Sequence, residues 1–433
     1  MDISIIGTGY VGLTTGIALA ELGNSVVLVD VVPEKLAMIG EGKAPFYEPE
    51  VDDLLKKHVE NGRIKTTLDA GSAVKTTDIS FITVGTPSRE DGSMDDSFIR
   101  RASESIGMAL RLKKDLHVVV MKSTVVPGTT LGVIRNTIEE NSGKEAGIGF
   151  GIAMCPEFLR EGAAMHDSLH PDRVVIGCID DITYEILKSL FSPLGSPIMR
   201  TSPNAAEMIK YASNSLLATK VSFTNEISRI CEKVGVDVYE IMEGVGMDFR
   251  ISPHFLRAGV GFGGSCFPKD VSALRDIAKG LGEETPILDG VMRNNDIQPA
   301  HFVDVAEKIA GNLQGKRVAV LGLSFKPDTD DIRYTRSLPV VSELVRRGAL
   351  VTGHDPKAVE NFKREAPEIN YSGSSIDAVS WAEIVFLMTE WPEYGDIPWE
   401  SQDHLLAVLD GRRTVDPSRM KNIKYWSIGK PLP

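Results

Sequence analysis

Cys266 lies in the segment of this chain whose residue types point most directly to covalent chemistry. The segment 261–270, GFGGSCFPKD, surrounds the thiol with glycines, which let a backbone approach a ligand closely. Lys269, and a helix expected to begin after Pro268, would favour the thiolate form. Asp270 follows four residues after the thiol, where a carboxylate could orient a group or accept a proton. This pattern predicts that Cys266 is a nucleophile.

The other three cysteines lack such surroundings and fit the usual interpretation of a small apolar residue. They are Cys155, Cys178 and Cys231. No Cys-x-x-Cys pair occurs and no cysteine–histidine cluster has zinc spacing, so the sequence predicts no metal site. Four thiols in a chain of 433 residues are typical of a reducing compartment.

Two pairs of polar residues are spaced by one helical turn. Lys210 and Asn214 would share a face of a predicted helix, where an ammonium and an amide could stabilise a developing oxyanion. Taken alone, such a pair is more often a solvated lysine beside an exposed amide. Glu157 and Glu161 follow a predicted strand and are candidates for a general base. Taken alone, these carboxylates more often form a charged first turn of a helix.

Residues 7–12, GTGYVG, have the glycine pattern that binds a dinucleotide pyrophosphate when it joins a strand to a helix. The first glycine allows the tight turn, the second lets the backbone approach a phosphate, and the third lets the helix pack against the sheet. The helix N-terminus then faces the negative charge. The residues of this turn that we expect at the cofactor are Gly7, Gly9, Tyr10, Val11 and Gly12.

Asp30 ends the next predicted strand, 23 residues after Gly7. That distance is close to the roughly 20 residues expected for an acid that binds the adenosine ribose. An acid at this position favours NAD over NADP, because it would repel a 2′-phosphate. Lys35 lies nearby and could soften that preference. The alternative for the whole pattern is a glycine turn with a purely structural role.

Two further segments, 84–88 and 123–130, follow predicted strands and are rich in hydroxyl residues. Ligands of open α/β sheets lie at the carboxyl ends of the strands. Thr86 and Thr124 could therefore meet the nicotinamide ribose or a reacting alcohol. Taken singly, each hydroxyl is more often a turn residue.

Strands and helices alternate along the first 198 residues, which predicts a doubly wound parallel sheet. The predicted strands there are 3–6, 25–29, 79–84, 117–121, 150–154 and 173–176. The same pattern returns near the end of the chain, with strands at 316–321, 349–352 and 384–388 and a helix at 338–347. The expected fold class is α/β, with two Rossmann-like doubly wound domains.

A single long helix is predicted to join these domains. Ser202 is a plausible N-cap, Pro203 a first helical residue and Gly235 a C-terminal stop, with no glycine between residues 202 and 234. A helix of about 32 residues is nearly 50 Å long, more than one domain covers. It is therefore expected to bridge domains and to form a dimer contact.

We expect three parts: an NAD-binding domain at 1–198, a central helical and dimerisation domain at 199–312 and a C-terminal α/β domain at 313–433. The net charge of −13, from 47 basic and 60 acidic residues, argues against nucleic acid and anionic membranes as partners. The apolar N-terminus has an acidic Asp2 and glycine interruptions, unlike an export signal, and no stretch is long enough to span a membrane. These features predict a cytoplasmic protein.

With these motifs the chain resembles the UDP-glucose/GDP-mannose dehydrogenase family over nearly its whole length. The matching segments are 7–12, 84–88, 123–130, 156–162, 207–214, 261–270 and 325–333. Such enzymes oxidise the C6 alcohol of a nucleotide sugar to a carboxylate with two NAD. The segments 246–251 and 255–259 resemble those of members that use UDP-glucose. The alternative substrates are GDP-mannose and UDP-N-acetylmannosamine.

The resemblance implies roles for the residues identified above. Cys266 would bind the C6 aldehyde as a thiohemiacetal and then as a thioester. Lys210 and Asn214 would stabilise oxyanions, and Asp270 with Thr124 and an ordered water would handle protons. Glu157 would be the base for thioester hydrolysis.

The resemblance also implies binding residues in all parts of the chain. Those expected at NAD, besides the glycine turn, are Asp30, Lys35, Thr86, Thr124, Glu161, Lys269 and Arg333. Those expected at the nucleotide sugar are Phe158, Leu159, Glu161, Lys210, Asn214, Arg250, Phe255, Leu256, Arg257, Gly259, Gly263, Phe325, Lys326 and Arg412. The partner subunit of a dimer would donate Arg250.

Two positions depart from the family pattern. Cys155 stands where an asparagine commonly precedes Pro-Glu-Phe, which puts one hydrogen bond in doubt. His354 replaces a frequent tyrosine before Asp355.

Overall fold

The computed structural model describes residues 1–87, 89 and 94–432 and divides the chain into two compact units, Met1–Ser213 and Asn214–Pro433. The three-part division at residues 198 and 312 stays a prediction. Among the residues that the structure describes, no helix is long and apolar enough to cross a membrane.

The first unit is built on one twisted sheet. Its strands are β1 (Asp2–Ile6), β2 (Ser25–Val29), β3 (Ile64–Thr67), β4 (Ile79–Ile82), β5 (Val118–Met121), β6 (Gly151–Met154), β7 (Val174–Cys178) and β8 (Ile198–Thr201). Its helices are α1 (Tyr10–Glu21), α2 (Pro33–Gly40), α3 (Val51–Glu60), α4 (Ala70–Thr76), α5 (Ser97–Leu112), α6 (Arg135–Ser142), α7 (Ala164–Leu169) and α8 (Asp181–Phe191).

The strand order is β3-β2-β1-β4-β5-β6-β7-β8, which reverses direction between β1 and β4. This is the order of a Rossmann sheet, whose ligands lie outside the carboxyl ends of the strands at the reversal point. The glycine turn follows β1 and the 84–88 segment follows β4, so the predicted cofactor segments flank the reversal point. Ser88 lies outside the described residues.

Two strands depart from the expected parallel arrangement, because β7 runs antiparallel to β6 and β8 runs parallel to β7. The chain between β6 and β7 stays at the carboxyl edge, where the Glu48 carboxylate binds the backbone of Gly162 and Ala164. The next strand therefore returns in the opposite direction. Antiparallel strands near the edge of a mostly parallel sheet are common.

Both faces of the first sheet are buried, because alternate residues of a strand point to opposite faces. Val118 and Val120 of β5 pack in the cluster that contains Leu13 of α1. The intervening Val119 packs in the cluster that contains Ile106 of α5. Burial on both faces explains why the central strands are continuous apolar runs rather than alternating ones.

The long helix α9 (Pro203–Val234) has the predicted limits. The Ser202 hydroxyl accepts a hydrogen bond from the Ala205 backbone N–H at 3.3 Å, as an N-cap does. Gly235 ends the helix at φ +81°, a conformation that glycine adopts without strain. The helix crosses the boundary between the two units, so Lys210 belongs to the first unit and Asn214 to the second.

The second unit repeats the strand order of the first six strands. Its strands are β9 (Arg317–Leu321), β10 (Leu350–His354), β11 (Asn370–Tyr371), β12 (Ile384–Leu387), β13 (Ala407–Asp410) and β14 (Lys424–Ser427). Their order is β11-β10-β9-β12-β13-β14, all parallel. Its helices are α10 (Val238–Gly246), α11 (Phe267–Gly280), α12 (Pro286–Ala310), α13 (Ser337–Arg346), α14 (Val359–Glu365), α15 (Ser375–Trp381) and α16 (Pro392–Gly395).

A buried polar network lies at the amino ends of the first sheet's central strands. His117 is fully buried, with one ring nitrogen 2.8 Å from the Ser80 hydroxyl and the other 2.9 Å from the Thr77 carbonyl oxygen. Burial and the nearby Lys113 ammonium lower the pKa of His117 from its ordinary 6.5 to about 3. Between these two values the unfolded chain binds a proton that the native protein does not, so stability falls as the pH is lowered.

We therefore expect His117→Gln to weaken the pH dependence of stability. Between pH 7.5 and 5.5 the wild type should lose about 1.4 kcal/mol more unfolding free energy than the variant, the energy of about one pKa unit. Urea titrations at both pH values measure this difference. Equal losses in the two proteins would contradict the assignment.

Candidate functional site

The glycine turn after β1 leaves open space beside the N-terminus of α1. A Cβ on Gly7, which has φ +104°, would lie 2.9 Å from the Thr83 carbonyl, and a Cβ on Gly12 would lie 1.9 Å from the Gly7 oxygen. The protein's own packing thus requires these two glycines. Apart from Gly9 itself and its two chain neighbours, none of the described residues has a heavy atom within 4 Å of a Cβ placed on Gly9, which has an ordinary φ of −70°. The absence of a side chain there fits a cradle for a ligand phosphate, as the dinucleotide pattern requires.

Asp30 follows β2 and faces the same turn. Its carboxylate accepts hydrogen bonds from the Thr8 backbone N–H at 2.9 Å, the Thr8 hydroxyl at 2.6 Å and the Val32 N–H at 3.1 Å. Burial opposes its ionisation, but these hydrogen bonds and the Lys35 ammonium outweigh burial and lower the pKa of Asp30. A fixed, ionised carboxylate at this position fits the ribose of NAD and disfavours the phosphate of NADP.

The loops after β4 and β5 are joined to each other by side-chain hydroxyls. The Thr86 hydroxyl donates to the Thr124 carbonyl at 3.0 Å, and the Ser123 hydroxyl donates to the Val84 carbonyl at 2.8 Å. The structure thus brings together the two hydroxyl-rich segments that the sequence singled out.

Glu207 of α9 holds the far end of the Thr124 loop and was missed by sequence reasoning. This fully buried carboxylate accepts hydrogen bonds from the Gly128 N–H at 2.6 Å and from the Thr130 N–H at 2.8 Å. Burial raises the pKa of Glu207 despite these donors. An acid in the first turns of a helix usually complements the helix dipole, so its type and position gave no sign of this contact.

Lys210 lies one helical turn after Glu207 and forms a buried ion pair with Glu157. The ammonium nitrogen is 2.8 Å from the carboxylate, and the side chains are 3% and 6% exposed. Glu157 also accepts from the Leu159 N–H at 2.6 Å. Burial disfavours the charge, but Lys210 outweighs burial and lowers the pKa of Glu157. Neither residue has the solvated environment of the alternative interpretations.

Glu48 connects the loop that carries Glu157 to the glycine turn. Its buried carboxylate accepts hydrogen bonds from the Tyr10 hydroxyl, the Gly162 N–H at 2.6 Å and the Ala164 N–H at 2.7 Å. Burial, Glu48 and the charge of Glu161 raise the pKa of Tyr10. Sequence reasoning missed Glu48, which is 114 residues from Gly162 in the chain.

Cys266 lies immediately before α11, which begins two residues earlier than predicted, and is partly exposed. Its sulfur is 3.5 Å from the Ser265 hydroxyl. Asp270, 1% exposed in the first turn of α11, accepts from the Asn214 amide at 2.6 Å and pairs with the Lys269 ammonium at 2.7 Å. The second unit therefore places a thiol at a helix N-terminus and an oriented carboxylate one turn away.

The other cysteines are buried. Burial raises the pKa of Cys155 to about 12 and also raises that of Cys178 and Cys231. The Cys155 backbone oxygen is 3.4 Å from the Lys122 ammonium, a contact that does not depend on the side chain at this position. These thiols are poor nucleophiles compared with an accessible one at a helix end.

Several predicted substrate residues meet around the glycine-rich segment. A Cβ on Gly263 would lie 2.4 Å from the Tyr334 oxygen and 3.2 Å from Phe325, and one on Gly259 would lie 2.9 Å from the Arg412 guanidinium. The Gly264 N–H donates to the Arg333 carbonyl at 2.9 Å. The segment thus packs against two loops of the second sheet's carboxyl edge.

A cavity of about 270 Å³ opens beside this segment. Its lining residues are Tyr239, Arg257, Ala258, Glu390, Trp391, Pro392, Arg412, Arg413 and Thr414. Arg413 stacks on Tyr239, with 3.7 Å from the guanidinium carbon to the ring centre, and pairs with Asp237. Sequence reasoning missed Arg413 and Tyr239. Three arginines among the lining residues make the cavity suitable for a phosphate-bearing ligand.

Other predicted substrate residues are placed differently. Arg250 is 75% exposed and binds Asp248 at 2.5 Å, whereas Leu256 is 6% exposed and belongs to the second unit's core. Phe255 adopts φ +63°, and its ring is 6.3 Å from that of Phe267. The Lys326 ammonium lies 5.9 Å from the Phe325 ring centre.

In the first unit, Phe158 lies between two cations. The Arg173 guanidinium is 3.9 Å and the Lys210 ammonium 5.5 Å from its ring centre. This arrangement fixes the ring next to the Glu157–Lys210 ion pair.

Three domain models of one family match successive parts of the chain. They describe the UDP-glucose/GDP-mannose dehydrogenase family: its NAD binding domain matches residues 1–195, its central domain 204–297 and its UDP binding domain 319–417.

Individual relatives match over the full length. The chain is 43% identical to the UDP-glucose 6-dehydrogenase AglM of Haloferax volcanii, over 99% of this chain and 100% of that protein. It is 40% identical to the UDP-glucose 6-dehydrogenase YwqF of Bacillus subtilis, over 99% and 98%. A solved UDP-glucose dehydrogenase from Pyrobaculum islandicum is similar with a TM-score of 0.92 at 38% identity, over 99% and 97%.

These matches confirm the predicted α/β fold class and the NAD cofactor. A solved UDP-D-ManNAc dehydrogenase from Pyrococcus horikoshii has the same fold at 26% identity, with a TM-score of 0.86 over 99% of each chain. The chain belongs to the UDP-glucose/GDP-mannose dehydrogenase family and is an NAD-dependent nucleotide-sugar dehydrogenase.

Proposed function

We propose that this enzyme oxidises the C6 alcohol of UDP-glucose to the carboxylate of UDP-glucuronate. The observation that carries the proposal is the partly exposed Cys266 thiol before α11, one turn from the oriented Asp270 carboxylate. A two-electron alcohol oxidation needs no such nucleophile, whereas a four-electron oxidation must hold an aldehyde between its two halves. The names of the relatives at 43% and 40% identity support UDP-glucose as the sugar.

The residues that fit a dinucleotide are those of the glycine turn and Asp30, and we assign Lys35, Thr86, Thr124, Glu161, Lys269 and Arg333 to the same ligand. Bound NAD supplies the hydride acceptor for both oxidations, so one sugar yields two NADH. Phe158, Leu159, Arg250, Arg257, Phe325, Lys326 and Arg412 are assigned to the nucleotide sugar, together with Glu161, Phe255, Leu256, Gly259 and Gly263.

The protein's own groups carry the covalent steps. Asp270, with Thr124 and a water molecule, takes the hydroxyl proton in the first oxidation. The Cys266 sulfur then forms a C–S bond to the aldehyde carbon, which gives a thiohemiacetal. Lys210 and Asn214 stabilise the former aldehyde oxygen of this adduct. Oxidation of this adduct gives a thioester.

Hydrolysis completes the reaction. Glu157, whose pKa the Lys210 ammonium lowers despite burial, takes a proton from the attacking water. The C–S bond breaks, the carboxylate product forms and the Cys266 thiolate is released. The balance is one alcohol, two NAD⁺ and one water giving one carboxylate, two NADH and protons.

A substrate panel tests the assignment. UDP-glucose, GDP-mannose and UDP-N-acetylmannosamine are each supplied in limiting amount with excess NAD, and NADH and sugar products are quantified. We expect two NADH per UDP-glucose and formation of UDP-glucuronate. One NADH per sugar with release of an aldehyde, or a higher kcat/KM for another sugar, would contradict the proposal.

We also propose a homodimer formed through α9. Leu216, Phe223 and Ile230 recur every seven residues on one face of this helix, and their exposed fractions are 64%, 50% and 51%. Such a repeat of apolar residues is typical of a helix that packs against another helix. A second copy of the chain would bury this face. A reducing, cytoplasmic setting is proposed as well, because four cysteines in 433 residues with no Cys-x-x-Cys pair are typical of a reducing compartment.

The double substitution Phe223→Glu and Ile230→Glu is expected to convert the dimer to a monomer, because it places two carboxylates in an apolar contact. Size-exclusion chromatography with light scattering measures the mass. Lys233→Glu, on the same helix outside this repeat, is the control and should leave the mass unchanged. A wild-type monomer, or a double variant that remains dimeric, would contradict the proposal.

A further inference from the structure

We propose that Asn225, Asn295 and Gln298 are positioning residues that fix the backbone of residues 259–262 for sugar binding and for placement of Cys266. These three side chains are called the amide clamp below. The proposal rests on the proposed function for its kinetic readout, but the clamp is built entirely from groups of the second unit.

The amide clamp binds both backbone polar groups of two residues. The Gly259 N–H donates to Asn225 Oδ1 at 2.8 Å, and the Gly259 carbonyl accepts from Gln298 Nε2 at 2.8 Å. The Phe262 N–H donates to Asn295 Oδ1 at 2.7 Å, and its carbonyl accepts from Asn295 Nδ2 at 3.0 Å. Asn295 therefore pairs with Phe262 as a neighbouring strand would, although the segment is neither strand nor helix.

The clamp residues are rigidly held. Their exposed fractions are 0% for Asn225, 1% for Asn295 and 0% for Gln298. The Arg229 guanidinium donates to Gln298 Oε1, which leaves the amide nitrogen of Gln298 to face the Gly259 carbonyl. Because a guanidinium only donates, it fixes which way this amide points.

The clamp also explains one glycine of the motif. Gly261 has φ +114°, and a Cβ there would lie 2.6 Å from Asn295 Oδ1. The chain can pass this close to the amide only with glycine at this position. The glycine at position 261 is therefore required by its contact with the clamp and not by a ligand.

Burial of these amides is not explained by stability alone. Asn225 Nδ2 is buried and has no hydrogen-bond partner among the described residues. An unpartnered buried donor is unfavourable, so we assign the role of Asn225 to its side-chain oxygen. That oxygen fixes Gly259, which lies two residues after Arg257 and seven residues before Cys266. A Cβ on Gly259 would lie 2.9 Å from the Arg412 guanidinium, so the backbone passes close to this side chain.

Asn295→Ala tests the proposal, with Asn294→Ala as the matched control. Asn294 precedes Asn295 in α12 and is also buried. Its amide nitrogen donates to the Ser222 carbonyl and its oxygen accepts from the Arg229 guanidinium, so its side chain bonds to the network around the clamp but not to the segment. Each variant is assayed for kcat and KM with UDP-glucose and with NAD, for its melting temperature, and for the rate at which iodoacetamide alkylates Cys266. Asn225→Ala, which removes one of the four bonds, is a milder second variant.

We expect Asn295→Ala to lower kcat/KM for UDP-glucose by at least about tenfold and to change the KM for NAD by less than about twofold. The alkylation rate should change by about threefold or more, since it reports the setting of the thiol. Asn225→Ala should shift the same quantities in the same direction by less. Asn294→Ala should lower the melting temperature as Asn295→Ala does, with kinetics and alkylation close to wild type.

Equal kinetic and alkylation changes in Asn294→Ala and Asn295→Ala would show a general loss of structure and overturn the proposal. Unchanged values in both Asn295→Ala and Asn225→Ala would also overturn it. If the wild type oxidises no nucleotide sugar, the proposed function fails. The alkylation rates of the three variants then still show whether the clamp determines the position and reactivity of the Cys266 thiol.

Discussion

Cys266→Ala is expected to abolish formation of UDP-glucuronate, with a loss of about 10³- to 10⁶-fold, as when an enzyme loses its covalent nucleophile. Without the sulfur, no thioester forms and the second oxidation has no adduct to act on. NADH formation and product analysis with limiting UDP-glucose measure the loss. Binding of NAD should persist, because the substitution leaves the glycine turn and Asp30 of the first unit unchanged.

Cys155→Ala is the matched control for this loss. Cys155 is fully buried and its thiol has a pKa of about 12, so it is expected to stay protonated and inaccessible. The Cys155→Ala variant should retain activity within about twofold of wild type. One equivalent of iodoacetamide should label Cys266 alone. Acid production by Cys266→Ala, or labelling of another cysteine in the folded enzyme, would contradict the assignment.

Lys210→Met is expected to destabilise the protein by about 3–5 kcal/mol, because it leaves the Glu157 carboxylate buried without its partner. The double substitution Lys210→Met with Glu157→Gln removes both charges and should recover most of that stability. Urea unfolding measures both effects.

The stability that Glu157 contributes also depends on pH in a defined direction. Its pKa is lowered in the native protein, so the contribution is present above the ordinary value of 4.5 and is lost as the pH falls through the lowered value. The unfolding measurements should therefore be made near neutral pH, where the contribution of Glu157 is fully present. Both variants of this pair should lack acid production, since both groups are assigned to the reaction. An active double variant, or a single Lys210→Met as stable as wild type, would contradict the roles given to the pair.

Local patterns in the sequence were enough to predict the features that depend on residues close together in the chain. The glycine turn, Asp30 at the end of β2 and the limits of α9 lie where the sequence predicts them, and α11 begins two residues earlier than predicted, directly after Cys266. Each rests on a short-range rule: a turn needs positive φ, a cap needs a hydroxyl, and a helix ends at glycine.

Short edge strands escaped prediction because their residues carry little periodic signal. β3, β8 and β11 are such strands, with sequences IKTT, IMRT and NY, and β13 and β14 were also missed. An edge strand is defined by the neighbour that pairs with it, not by its own apolar pattern. The antiparallel course of β7 likewise follows from where the preceding loop is held.

Tertiary structure alone decided which polar groups bind one another in the site. Lys210 pairs with Glu157 and Asn214 with Asp270, although the helix spacing placed Lys210 and Asn214 together. The clamp contacts and those of Glu48 and Glu207 join residues 33 to 116 positions apart. Local periodicity predicts which face of a helix or strand is buried. It does not predict which backbone group, distant in the chain, will bind a side chain on that face. The sequence therefore identified the chemistry of the residues, and only packing determined their partners.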